Sequence, residues 1–216
     1  AMKYLRPSSV PPVLLWRFYK RNSDILEKNL MVRFFGTGFF GSILVMIIEL
    51  VLSAIVLAIL GDDAELKDAM NMEDGQIHVK LTGKVIFILF YFSFIVAGCT
   101  EEGLKYFIAT RPMKLRQNFR NPKALLVYGV TGALGFSTIE NLLYVLPSGD
   151  PLSTFVVAIE RILVSSPLHC MTGCLLAAGV VERDIFHKPL SIVHICGLPV
   201  LFHGARHGGG RLAHGE

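Results

Sequence analysis

Cysteine is scarce and carries no disulfide pattern: four occur in 216 residues, and Cys99, Cys170, Cys174 and Cys196 all fall inside apolar blocks. A free cysteine in such a setting behaves as a small hydrophobe, which excludes a secreted disulfide scaffold. Cys170 and Cys174 stand at i, i+4 and read as packing residues rather than zinc ligands. The chain has no Gly-rich phosphate loop and no basic groove interleaved with aromatics, so nucleotide and nucleic-acid binding have no footing. It has no internal repeat, which counts against a transporter built from inverted halves. The first 33 residues lack the short apolar core and small-residue cleavage site of a signal peptide. Ala1 precedes Met2, so the sequence reads as a fragment or as carrying an extra leading residue.

Charge is sparse as well, at 18% of residues against 52% hydrophobic. The apolar residues are gathered into long blocks instead of recurring at amphipathic intervals. That distribution predicts an all-α, polytopic transmembrane helical bundle of about five spans with a broken fourth segment. Gly38 to Leu60 is the first expected span, interrupted only by Glu49, which reads as a carboxylic acid bonded to a neighbouring helix or as a partner of the functional groups. A polar, acidic loop from Asp62 to Lys84 follows. Val85 to Ala109 is the second span, with its stop at Arg111-Pro112, because proline disfavours helix for the residue before it. The third is Ala124 to Leu146, rich in small residues that let helices approach closely. Pro147 to Pro151 makes a turn. Ser153 to Val181 is too long for one straight span and is interrupted by Ser165-Ser166-Pro167; Glu160-Arg161 in its outer half reads as a charge-balancing pair, or Arg161 as a support for a buried carboxylate. Pro189 to about His203 is the fifth, ended by Gly208-Gly209-Gly210. The expected domains are an arm over 1–37, a helical membrane domain over 38–207 and a polar tail over 208–216.

Basic residues set the expected orientation. Lys3, Arg6, Arg17, Lys20, Arg21, Lys28 and Arg33 face only Asp24 and Glu27 in the arm, and Arg111, Lys114, Arg116, Arg120 and Lys123 share one loop with no acidic residue. The positive-inside rule places both, and the N-terminus, in the cytoplasm, with the arm near lipid headgroups where Trp16, Phe18 and Tyr19 suit the interface.

Against this background a few polar residues are out of place. Glu101, Glu102 and Lys105 interrupt an apolar segment, at a cost of about 2.5 to 17 kcal/mol for a charge near the bilayer centre. Glu101 and Lys105, at i, i+4, are expected to pair. Glu140-Asn141 lies deep in the third span, His169 in the fourth and His203 at the end of the fifth. Counted from Arg111, Lys123, Val181 and Pro189, the positions Glu101, Glu140, His169 and His203 lie 10, 17, 12 and 14 residues in. At 1.5 Å per residue these are roughly 15, 25, 18 and 21 Å from one boundary, overlapping depths near mid-membrane. Carboxylates and imidazoles that converge away from water are the materials of hydrolysis: one carboxylate takes a proton from water while imidazoles stabilise the oxyanion or hold a metal. Each motif also has a plain structural reading: a hydrogen-bonded acid on a helix face, a Glu101–Lys105 ion pair, or a His169 bonded to a carbonyl freed by Pro167.

Glu-Glu-x-x-Lys at 101–105, Phe-x-x-x-Glu-Asn at 136–141, His-x-x-x-Gly at 169–173 after Ser-Ser-Pro, and a last intramembrane His at 203 resemble, in that order, the PrsW family of intramembrane proteases, distant relatives of the CAAX prenyl endopeptidases. The resemblance covers roughly 85–207. It implies a polytopic helical endopeptidase acting on membrane-anchored, single-span proteins, with the lipid bilayer as its setting; bacterial members cleave an anti-sigma factor. It also implies that Glu101, Glu102, Glu140, His169 and His203 form the catalytic cluster. On that basis Glu101 or Glu102 is the expected base, His169 assists proton transfer, and His203 and Asn141 donate to the oxyanion. In a zinc-dependent version Glu101, Glu140, His169 and His203 are the candidate ligands, and donor counting alone leaves both versions open. At position 207 the chain has His where the family motif has Asp. The pair His203 and His207 therefore reads as a metal pair or as a frayed end, and a pseudoprotease that binds membrane proteins without cutting them stays an alternative, as does a small transporter.

Overall fold

The computed structural model describes residues 10–60, 72–73, 76–77, 82–115, 121–146 and 150–213, with the side chains of 10–12, 14–15, 18, 72–73, 76–77, 111–115 and 207–213 outside that description. Helix α1, Val10–Arg21, turns into α2, Lys28–Leu60. The latter starts at Lys28 rather than at Gly38, because Lys28–Thr37 packs on the bundle: Met31 and Phe34 are buried and Phe34 stacks on Tyr128 at 5.1 Å. The Tyr128 hydroxyl also accepts a hydrogen bond from the Glu27 N–H (2.8 Å), which fixes the entry to α2. Most of the acidic stretch after α2 lies outside the described residues; within it β1, Met72–Glu73, pairs antiparallel with β2, Gln76–Ile77.

The second apolar block is one helical path in three parts. Thr82 caps α3, Gly83–Phe90, by accepting from the Val85 N–H; Tyr91–Cys99 is π-helical; and α4 is Thr100–Leu115. The helix passes the expected stop at Arg111-Pro112. Proline there removes only one hydrogen bond, the one to the Ile108 carbonyl, and the helix continues for one more turn to Leu115. Helix α5, Pro122–Val145, is capped by Asn121 and opens on Pro122 at its first position, where a missing N–H costs nothing. Its residues 131–141 are buried without interruption, as expected of a helix surrounded by others.

The fourth block is also continuous: α6, Pro151–Glu160, a π-helical turn Arg161–Ser165, and α7, Ser166–Asp184. Asp150 caps α6, its Oδ1 accepting from the N–H groups of Leu152 and Ser153 at 3.0 Å each. Helix α8, Ile192–Ala213, runs through Gly208–Gly210, which had read as a terminator. Glycine disfavours helix by only about 1 kcal/mol per residue and does not forbid it.

Among the described residues three helices are long and apolar enough to cross a membrane: Lys28–Leu60, Gly83–Thr110 and Pro151–Asp184, with Ile192–Arg206 a shorter apolar helix. Helix α5 sits inside the bundle they form. Its small residues set the packing distance. A Cβ added at Gly135 would strike the Phe35 carbonyl on α2, and one at Gly173 would press on Ala133 across the α5–α7 contact, so these backbones meet almost directly. All four cysteines are free.

Candidate active site

Both π-helical turns lead straight into polar residues. A π turn holds one residue more than an α turn at the same height, so it re-aims everything that follows, and such turns are frequent at functional sites. After Tyr91–Cys99 come Glu101 and Glu102. Arg161 opens the other π turn, and Ser166 and His169 follow it. Glu101, Glu102, Lys105, Glu140, Asn141, Arg161, His169 and His203 are all buried, each less than 9% exposed.

The contacts join four helical segments. His169 Nε2 lies 2.5 Å from Glu140 Oε2, and its Nδ1 lies 2.9 Å from Lys105 Nζ and 3.9 Å from Glu101 Oε2. His203 Nδ1 bonds Glu102 Oε1 at 2.8 Å, while its Nε2 is 3.2 Å from Glu101 Oε2. The two imidazole rings are 5.3 Å apart. Lys105 Nζ donates to Glu102 Oε1 (2.6 Å) and to Thr172 Oγ1 (3.2 Å), and faces the Phe136 ring at 5.3 Å. The expected Glu101–Lys105 pair is therefore replaced by Glu102–Lys105 at i, i+3. His169 and Thr172, across on α7, draw the ammonium to the Glu102 side. His169 is likewise held by side chains of other helices and not by a carbonyl freed at Pro167.

A second polar chain leads away from Glu140. Arg161 contacts Glu140 Oε2 at 2.6 Å, and its Nε donates to Asn141 Oδ1 at 2.9 Å. Asn141 Nδ2 donates to Ser166 Oγ (2.9 Å), which meets Ser137 Oγ at 3.1 Å. Both ends of the Asn141 amide are thus engaged. Glu49 stands outside the cluster, its Oε1 bonded to the Thr100 hydroxyl at 2.9 Å. Glu160 turns the other way and pairs with Arg206 on α8. The side chain of His207, and with it any His203–His207 pairing, lies outside the described residues.

Glu101, His169 and His203 offer one ligand atom each within 4.8 Å of one another. Glu101 Oε2 has no hydrogen-bond partner. A carboxylate cannot donate, so Glu102 fixes a proton of His203 on Nδ1 and turns Nε2 toward Glu101: the neutral ring presents a lone pair there for a cation, and the imidazolium presents a second N–H. Three such donor atoms fit a divalent cation once Lys105 yields His169 Nδ1, and three protein ligands leave the fourth tetrahedral position to water. Glu140 lies on the far side of His169, between that ring and Arg161.

A match to the family described as PrsW family intramembrane metalloprotease runs over residues 27–205. The chain belongs to the PrsW family. Its similarity to relatives named Protease PrsW is 28% identity over 166 residues in Clostridioides difficile (strain 630), covering 76% of this chain and 59% of the relative. It is 32% over 119 residues in Bacillus subtilis (strain 168), covering 54% and 52%, and 28% over 114 residues in Shouchella clausii (strain KSM-K16), covering 52% and 51%. The chain thus spans between half and three-fifths of the length of these PrsW relatives. No solved structure matches it. The buried polar cluster from Glu101 to His203 lies within the matched region, and with three long apolar helices the PrsW-family chain is an integral membrane protein.

What the sequence left unseen was mostly the supporting cast. Ser137, Ser166 and Thr172 are short polar residues that occur in any membrane helix, and only their burial beside charged groups marks them. The one signal available was Ser165-Ser166 in front of Pro167, three residues before His169.

Proposed function

We propose that the chain is an intramembrane endopeptidase that hydrolyses a peptide bond of a membrane-anchored, single-span protein, with its N-terminus and basic 111–123 loop in the cytoplasm. The observation that carries this is the approach of Glu101 Oε2, bound by no hydrogen bond, to His203 Nε2 and His169 Nδ1 inside the bundle. Glu102 is tied to Lys105 and His203, so Glu101 is the carboxylate available to take a proton from water. Burial keeps its charge unscreened, which strengthens its action on a water held beside it. His169, gripped at Nε2 by Glu140, shuttles that proton toward the leaving amine. His203 faces the developing oxyanion, and Lys105, bonded to both Glu102 and His169, balances the added negative charge. Asn141, with its amide committed to Arg161 and Ser166, orients this apparatus. Glu101, His169 and His203 are also the residues that would hold a zinc ion, which would polarise the carbonyl and acidify a bound water. In that case Glu102, whose Oε2 has no hydrogen-bond partner, is the nearby carboxylate left to act as base.

The test is cleavage of single-span substrates by purified protein in lipid vesicles. E101Q is expected to lower kcat/KM by at least about 100-fold, and chelation to abolish cleavage with return on added zinc. Cleavage retained after chelation assigns water activation to Glu101 alone. Full cleavage by E101Q contradicts the proposal.

A further inference from the structure

The PrsW match and the resemblance assign no role to Arg161, yet it is a buried guanidinium at 2% exposure, and a lone arginine inside a membrane bundle is too costly to be incidental. Its placement is built. The π turn Arg161–Ser165 begins at this residue, so that Glu160 turns outward to Arg206 while Arg161 turns inward. Its guanidinium lies 4.3 Å over the Tyr144 ring, which sets its plane. From there one nitrogen reaches Glu140 Oε2 at 2.6 Å and Nε donates to Asn141 Oδ1 at 2.9 Å, so it grips two consecutive residues of α5.

Glu140 is the residue that meets His169 Nε2 at 2.5 Å. With its negative charge held by Arg161, Glu140 only accepts, so the imidazole proton sits on Nε2. On the opposite edge Lys105 Nζ approaches Nδ1 at 2.9 Å, and an ammonium has only donors to offer. Both neighbours therefore demand the same tautomer.

We propose that Arg161 is a positioning residue that acts through Glu140 to hold His169 as the Nε2–H tautomer, with the Nδ1 lone pair turned to Lys105 on the side of Glu101. A histidine tautomer is set by the hydrogen bond its other nitrogen makes, and residues that do this one step behind a reactive centre typically carry about 10- to 100-fold of its activity or metal affinity. Arg161 touches no reacting atom. The proposal deepens the protease reading but does not depend on it for its readout, because a tautomer is observable without substrate.

The experiment is 15N NMR of histidine-labelled protein in lipid bilayers, with the His169 signals assigned by their loss in H169Q. Wild type is expected to show a protonated Nε2 and an unprotonated Nδ1. R161Q, which removes the charge that holds Glu140, is expected to show a mixture of tautomers at His169. R161K, which keeps the charge in place and guards against simple misfolding, is expected to give a smaller change, with the His203 signals unaltered in both variants. In the cleavage assay the same variants are expected to lose about 10- to 100-fold in kcat with KM within threefold. A wild-type His169 protonated on Nδ1, or a tautomer unchanged in R161Q, overturns the proposal. Absence of cleavage by wild type would count against the protease reading alone and leave the NMR result standing.

Discussion

At the scale of single residues the account turns on charges that have been taken out of water. Lys105 has three protons and places them on Glu102, His169 and Thr172. Removing one partner of a buried ion pair leaves the rest uncompensated, so K105M is expected to destabilise the protein by about 3–5 kcal/mol, measured by reversible unfolding in mixed micelles; an unchanged midpoint would mean the pair is not formed. Outside the membrane, the Ser153 hydrogen bonds to Asp150 hold its carboxyl below the usual carboxylate range. A carboxylate with a depressed folded pKa stabilises above its unfolded value, near 3.9, and loses that effect as pH falls through the folded value. D150A is therefore expected to lower the thermal midpoint at neutral pH, with the difference from wild type closing below about pH 3.9, followed by melting curves across that range. Glu101, Glu102, Glu140, His169 and His203 were legible in the sequence because an ionisable side chain in an apolar run needs a reason. Their partners were not. Whether Lys105 turns to Glu101 or Glu102 depends on His169 and Thr172 of another helix, which no spacing within α4 reveals.

At the scale of elements, apolar block length located the helices, and Ser-Ser-Pro marked the disturbance in the fourth block. The hydrophobic pattern could not show that both disturbed helices stay continuous through a π turn, because such a turn depends on tertiary partners: Thr100 folds its hydroxyl back on the Val96 and Ala97 carbonyls, and Gly98 lies against Val200 of α8. Helix ends were misread for a related reason. Proline and glycine are local signals, and they say nothing of packing such as that of Phe34 and Ile108 beside Tyr128. The second π turn offers a test. Deleting Leu163, which is 67% exposed, removes the extra residue and rotates Arg161 relative to His169 by about 100°. Helical content by circular dichroism is expected to stay the same while cleavage falls at least about 100-fold. Retained activity would show that the π turn does not aim the site.

At the scale of the whole molecule, α5 is the post around which the others are arranged, and its glycines let α2 and α7 approach until side chains of α4, α5, α7 and α8 share one interior. Equal depth was visible from residue counting alone, and it correctly grouped Glu101, Glu140, His169 and His203. Azimuth was not visible, since counting along a helix gives height and says nothing of facing. The most direct test is therefore a distance inside the bilayer. Rotational-echo double-resonance NMR on protein in lipid, with 13C-carboxyl glutamate and 15N histidine, reads the coupling between Glu101 and His203, with E101Q and H203Q as assignments. The account predicts strong dephasing that matches the 3.2 Å approach of Glu101 Oε2 to His203 Nε2. No measurable coupling between them would contradict it.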